Sequence, residues 1–187
     1  IQGDEFFERI DASAIGVLGH SFGGGTALGS VAGFFGNAAD DRVKAVMPMS
    51  ATVFDVFTEQ ALAAVGEPVL LMGGTLDTAV PIEEQAWAFE QLTGAEAAYQ
   101  VDIVGAAHTH FANICDIANW LIDNGITEDL WPAIGAAALI GPYEEACSED
   151  SFPIEEVHRL QNVDAVAFFR RYLNGEEGYD YYLQSDY

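Results

Sequence analysis

Positive charge is what this chain has least of. Six Lys and Arg side chains, Lys44 being the single lysine, stand against thirty Asp and Glu, for a formal net charge of −24. Binding to nucleic acid or to an anionic membrane surface needs cations for phosphate contact, so both are excluded as partners. An acidic surface nearly free of lysine suits a protein kept soluble in strong salt, where self-repulsion is screened. The expectation is a halophilic or marine source. Long apolar runs are missing too: the stretch from Ala133 to Ile140 falls far short of the roughly 20 residues that span a bilayer, and no membrane span is expected. Cysteine is scarce. Cys115 and Cys147 have no C-x-x-C spacing, so no zinc site, and no metal site generally, is expected. Their pairing would suit an oxidising compartment and a secreted or periplasmic protein, two free buried thiols being the alternative. The glycines after Ser21 lack the Lys-Ser/Thr pair of a phosphate-binding loop.

The most informative residues present are Gly19-His20-Ser21-Phe22-Gly23, a G-x-S-x-G pattern. The apolar run Ala14-Ile15-Gly16-Val17-Leu18 before it reads as a buried parallel strand. Gly24, Gly25, Thr26, Ala27, Leu28, Val31 and Ala32 behind it read as a small-residue helix. A turn this sharp leaves little room for side chains, so glycines flank the serine. Its hydroxyl is then exposed at the carboxyl edge of a sheet, over a helix N-terminus that favours negative charge.

A serine hydroxyl is a poor nucleophile alone; it needs a histidine base and a carboxylate to orient that base. Pro68-Val69-Leu70-Leu71-Met72-Gly73-Gly74 reads as a further buried strand, and Asp77 falls in the loop at its C-terminal end. With thirty acidic residues in the chain, Asp77 is singled out by position and not by type. The strand Tyr99 to Val104 runs into Gly105-Ala106-Ala107-His108-Thr109-His110-Phe111, a loop holding two of the four histidines. His108, directly after the small residues, is favoured as the base. His110 stays open as its competitor, because two residues apart on an extended segment face alike. His20 is expected to pack beside the serine, and His158 to lie on a late helix.

These three segments resemble the α/β-hydrolase superfamily, and within it the serine esterases related to dienelactone hydrolase, platelet-activating-factor acetylhydrolase and cutinase-like polyester hydrolases. The tail Ala165 to Gly175 is similar to the last helix of such enzymes. The resemblance implies Ser21 as nucleophile, Asp77 as acid and His108 as base, with the Phe22 N–H forming half of an oxyanion hole. Phe22 and Val80, flanking these residues, are pocket candidates. It also implies an α/β fold with a mostly parallel sheet covered by helices on both faces, and a carboxylic-ester hydrolase acting through an acyl-enzyme. The alternatives are an acyltransferase or peptidase on the same triad, or a non-catalytic, partner-dependent subunit completing a split hydrolase fold. No cofactor is implied. The substrate would be a small-molecule or polymeric ester, short to medium in its acyl part. In the family the elbow follows about half of the sheet, whereas here it begins at Gly19 in a chain that starts with Ile1. The whole of 1–187 is therefore expected to be one catalytic domain, the C-terminal portion from the elbow onward, whose N-terminal strands and second oxyanion donor come from a companion chain or a longer parent.

Other expected elements are a helix end from Asp4 to Ile10, a strand Val43 to Met49, and helices at Phe54 to Val65, Pro81 to Leu92 (burying Trp87 and Phe89), Phe111 to Asn124, Thr127 to Ile140 and Glu155 to Leu173. Met49, Trp87, Phe168 and Phe169 are assigned to the core. The acidic run Glu144 to Asp150 is assigned to solvated surface, and the tail from Tyr179 to Tyr187 packs back or frays.

Overall fold

A computed structural model describes residues 10–184; the helix end expected at Asp4 lies outside them. Four strands, β1 (Ile15–His20), β2 (Val43–Met49), β3 (Val69–Gly74) and β4 (Ala98–Ile103), form one sheet in the order β1-β2-β3-β4, every neighbouring pair parallel. Parallel pairing forces a crossover between successive strands, and α1 (Phe22–Ala32), α2 (Glu59–Ala63) and α3 (Ile82–Gln91) supply them. Alternate residues of one strand face opposite layers. On β3, Val69 and Leu71 join Leu28, Val31, Leu62 and Ala88 in one core. Leu70 and Met72 join Met47, Met49, Val157 and Phe168 in the other, beneath α6 (Ile154–Asn174). Burial on both faces is why β3 reads as an unbroken apolar run.

Three helical expectations are corrected. The helix expected from Phe54 to Val65 shrinks to α2, capped by the Thr58 hydroxyl. Its first turn is lost because Asp55 takes φ 61°, and the amides of Val53 and Phe54 both donate to the buried Glu84 carboxylate, at 2.7 and 2.9 Å. The helix expected from Thr127 to Ile140 breaks into 3₁₀ turns at Glu128–Ile134 and Ala137–Leu139. Pro132 sits inside the first, and Gly135, at φ 82°, ends it in the left-handed region. A further helix, α5 (Ile140–Ala146), follows. Phe89 is exposed, since α3 turns Glu84, Gln85 and Ala88 inward, whereas Trp87, half-buried, packs against the first core as expected. Met49 and Phe168 are buried in the core as expected, and Phe169 packs against it.

Beyond β4 the chain makes a 3₁₀ turn at His108–Phe111 and then α4 (Ile114–Asp123). Cys115 on α4 is disulfide-bonded to Cys147, which follows α5. Closing a loop of 32 residues removes unfolded-state freedom amounting to about 3–4 kcal/mol. The tail packs back as α7 (Asp180–Leu183), held by Arg171 Nε donating to Asp180 at 2.6 Å.

One buried acid stands apart from these ties. Asp164 of α6 is 2% exposed, lines a cavity of about 490 Å³ between α6 and β4, and its Oδ2 has no partner among the described residues. Burial lifts its pKa from 3.8 to about 6. The folded protein therefore keeps a proton that the unfolded chain releases, and stability falls as pH rises from 3.8 to about 6. Asp164→Asn is neutral throughout, so it should raise stability at pH 8 by about 2–3 kcal/mol and leave it nearly unchanged at pH 3.5. Equal Tm differences at both pH values would contradict this.

Candidate active site

Ser21 is the single residue between β1 and α1. Its φ of 59° and ψ of −126° lie where a side chain is strained, a cost that surrounding structure must hold in place. Here the Ser21 amide donates to the Met49 carbonyl at 2.9 Å, and the Ser21 carbonyl accepts from Gly25 N–H at 3.0 Å. A Cβ on Gly19 would stand 2.2 Å from the Gly23 carbonyl oxygen, and one on Gly24 would meet Ala51 Cβ and the Met49 oxygen at 2.9 Å. Gly23 differs from the expectation for flanking glycines: a Cβ there meets nothing within 4 Å among the described residues. Phe22 is the first residue of α1, so its N–H has no acceptor within the helix.

The loops after β3 and β4 are stitched together. Thr75 N–H donates to the Ile103 carbonyl at 3.1 Å, Leu76 N–H to Ala106 at 2.9 Å, and Gly105 N–H to the Thr75 hydroxyl at 3.0 Å. Gly74 permits this approach, since a Cβ there would lie 2.3 Å from the Ala106 oxygen. The stitching brings Asp77 Oδ2 to 2.7 Å from His108 Nδ1, and His108 Nε2 lies 2.9 Å from Ser21 Oγ. Asp77 Oδ1 accepts from the amides of Ala79 and Val80 at 2.9 and 2.7 Å. Burial raises the Asp77 pKa, but hydrogen bonds from His108 and from Val80 N–H outweigh it, and the carboxyl ends below its ordinary value. An ionised Asp77 assigns the His108 proton to Nδ1 and leaves Nε2 as a lone pair facing the Ser21 hydroxyl.

His110 is turned elsewhere. It is 1% exposed, its Nδ1 accepts from Ala107 N–H at 3.1 Å, and its Nε2 is 3.1 Å from the Phe152 carbonyl, to which it donates. His20 packs beside the site as expected, its ring 4.6 Å from that of His108 and 5.8 Å from Phe111. Burial, reinforced by the neighbouring His108, pushes its pKa below the ordinary value. His158 lies half-buried on α6. Phe22 presents an exposed ring and Leu76 an exposed side chain next to Asp77, whereas Val80 is buried and meets the site through its amide. Sequence reasoning missed Glu84 and Gln85, which hold the chain after β2: Gln85 Nε2 donates to the Ala51 carbonyl at 2.8 Å. The only signal available was a pair of polar residues on the apolar side of α3.

A parallel sheet with helices on both faces and a strained serine at the turn from β1 into α1 are the architecture of an α/β-hydrolase fold. A family model described as PET hydrolase-like (PETase) matches residues 2–123, more than half of the 187. The chain belongs to this PET hydrolase-like family. Among solved structures, it is similar to the uncomplexed acylaminoacyl peptidase of Pyrococcus horikoshii, at 21% identity and a TM-score of 0.46, covering 58% of this chain and 23% of that one. The chain thus spans less than a quarter of that protein's length. A search of curated protein sequences returns no match.

Proposed function

We propose that this protein is a serine hydrolase acting on carboxylic esters, in which Ser21 is the nucleophile, His108 the general base and Asp77 the residue that orients it. The observation that carries the reading is the unbroken line from Asp77 Oδ2 through His108 to Ser21 Oγ, at 2.7 and 2.9 Å. His108 Nε2 takes the hydroxyl proton as Ser21 Oγ attacks the ester carbonyl. The imidazolium formed is stabilised by Asp77 and hands its proton to the departing alcohol. Water, deprotonated by the same nitrogen, then releases the acid from the acyl-enzyme. The Phe22 amide is one oxyanion donor. The second is proposed to come from outside the described residues, on a companion chain or another part of a longer protein. In support, β1 pairs only with β2 among the described residues, and Leu18 beside its open edge is 51% exposed. Losing one such donor typically costs 10²–10³ in rate. Short-to-medium acyl esters, small or polymeric, are the proposed substrates, with Phe22 in the pocket wall. The disulfide and the acidic surface support a secreted or periplasmic location.

The test is a fluorophosphonate probe read by intact-mass spectrometry. One adduct, mapped by peptide sequencing to Ser21 and absent from His108→Ala, is the expected result; labelling of another residue, or of the His108 variant at an equal rate, would refute the reading. The halophilic proposal has its own check. With a net charge of −24, the unfolding midpoint should rise by several degrees between 10 mM and about 1 M NaCl as repulsion is screened, and equal midpoints would contradict it.

A further inference from the structure

The segment between the His108–Phe111 turn and α6 leaves the sheet and returns to its starting point. His110 closes its base by donating to the Phe152 carbonyl. Higher up, α5 reaches back over the histidine turn. One oxygen of Glu145, Oε2, accepts the Thr109 amide at 2.9 Å and also the Thr109 hydroxyl; the Pro142 carbonyl is 3.3 Å from that same hydroxyl. Thr109 directly follows His108. The backbone on the far side of His108 is held as well, through Ala107 N–H donating to His110 Nδ1.

The helix bearing Glu145 is only seven residues long and, among the described residues, packs chiefly on α4 and on the 3₁₀ turns at His108–Phe111 and Ala137–Leu139. Its ties are a small cluster of Cys115, Ala146 and Ile154, an edge-on contact of Tyr143 with Trp131 at 5.3 Å, and the disulfide immediately after it. The disulfide joins α5 to α4, the helix that starts three residues after the histidine turn, so both ends of the Glu145–Thr109 bond are anchored to one covalent unit.

We propose that Glu145 is a positioning residue for His108, acting through Thr109, and that the Cys115–Cys147 bond keeps it within reach. This rests on the reading of His108 as the base. A general base must sit within a few tenths of an ångström of its hydrogen-bonding distance to the nucleophile, and a displacement of about 1 Å can cost 10²-fold in rate. Glu145 does not touch substrate, so its loss should act on kcat and leave KM alone. Because a single oxygen takes both Thr109 donors, the amide oxygen of glutamine can replace it.

The test compares wild type, Glu145→Ala, Glu145→Gln, the Cys115→Ala/Cys147→Ala pair and the triple variant, measuring kcat and KM on a soluble nitrophenyl ester alongside Tm. Glu145→Ala should lower kcat by about 10–100-fold with KM within about twofold, at temperatures well below its Tm. Glu145→Gln should recover kcat to within about threefold. The cysteine pair should lower kcat as well, and adding Glu145→Ala to it should cost far less than in wild type, because both act through one contact. Wild-type kcat in Glu145→Ala, equal losses in the Ala and Gln variants, or full additivity would overturn the proposal. If the cysteine variants do not fold, the Ala and Gln comparison decides alone. His108→Ala separates the two levels: if it retains activity, the reading of the base fails and the proposal with it, whereas an inactive His108→Ala beside a fully active Glu145→Ala sinks the positioning role alone.

Discussion

Ser21→Ala is expected to lower kcat/KM for ester hydrolysis by about 10⁶-fold, leaving what binding and oxyanion donors alone achieve. The fold should survive, because alanine carries the same Cβ and therefore meets the same strain at φ 59°, while the bonds that hold the turn are all made by backbone atoms. Activity and stability can thus be read separately: Tm within about 2 °C of wild type, and no fluorophosphonate adduct. Ser21→Gly makes the complementary control. It should be equally inactive yet more stable, by about 1 kcal/mol, since glycine adopts this conformation without a Cβ clash. Hydrolysis by either variant within tenfold of wild type would remove Ser21 from the mechanism.

The second large effect is expected at Asp77. Asp77→Asn is nearly the same size and should fold, but kcat should drop by about 10⁴. The reason lies in the two oxygens. Oδ1 is committed to the amides of Ala79 and Val80, so asparagine must place its carbonyl oxygen there and turn its NH₂ toward His108. Two donors cannot face each other, and His108 Nδ1 is left to accept. The ring proton then sits on Nε2, which has no lone pair for the Ser21 hydroxyl. The deficit should persist across the pH range in which the ring is neutral. A variant with near-normal kcat would mean that Asp77 only shapes the loop.

Strands and elbow were legible in the sequence because their causes are local. β2 and β3 lie within one residue of their expected limits, since burial on both faces demands apolar residues along nearly their whole length, the exposed Lys44 of β2 being the exception. Gly19 and Ser21 announce the turn because only a residue without Cβ clears the Gly23 carbonyl. Asp77 was found by its distance past a strand, which the parallel sheet converts into a common edge. The broken helices at Phe54 and Thr127 were not legible in the same way. One is unwound by a carboxylate 31 residues away in the chain, the other by a proline whose effect a count of apolar positions overlooks.

The choice between His108 and His110 belongs to tertiary structure alone. Both were assigned to an extended segment, where residues two apart face alike; the chain instead makes a 3₁₀ turn, and at three residues per turn they face apart. His108 points to Ser21 and Asp77, and His110 points inward to Phe152. Glu145 shows the same division: in the sequence it is one acid within an acidic run, and only the return of α5 over residue 109 gives it a partner. What the sequence determined by itself is whatever follows from periodicity, turn chemistry and residue type over a dozen neighbours: a parallel α/β core, a serine on a strained turn, a carboxylate and a histidine after later strands. Which histidine meets the serine, and what holds it there, depends on contacts across more than thirty residues, and no local pattern encodes their direction.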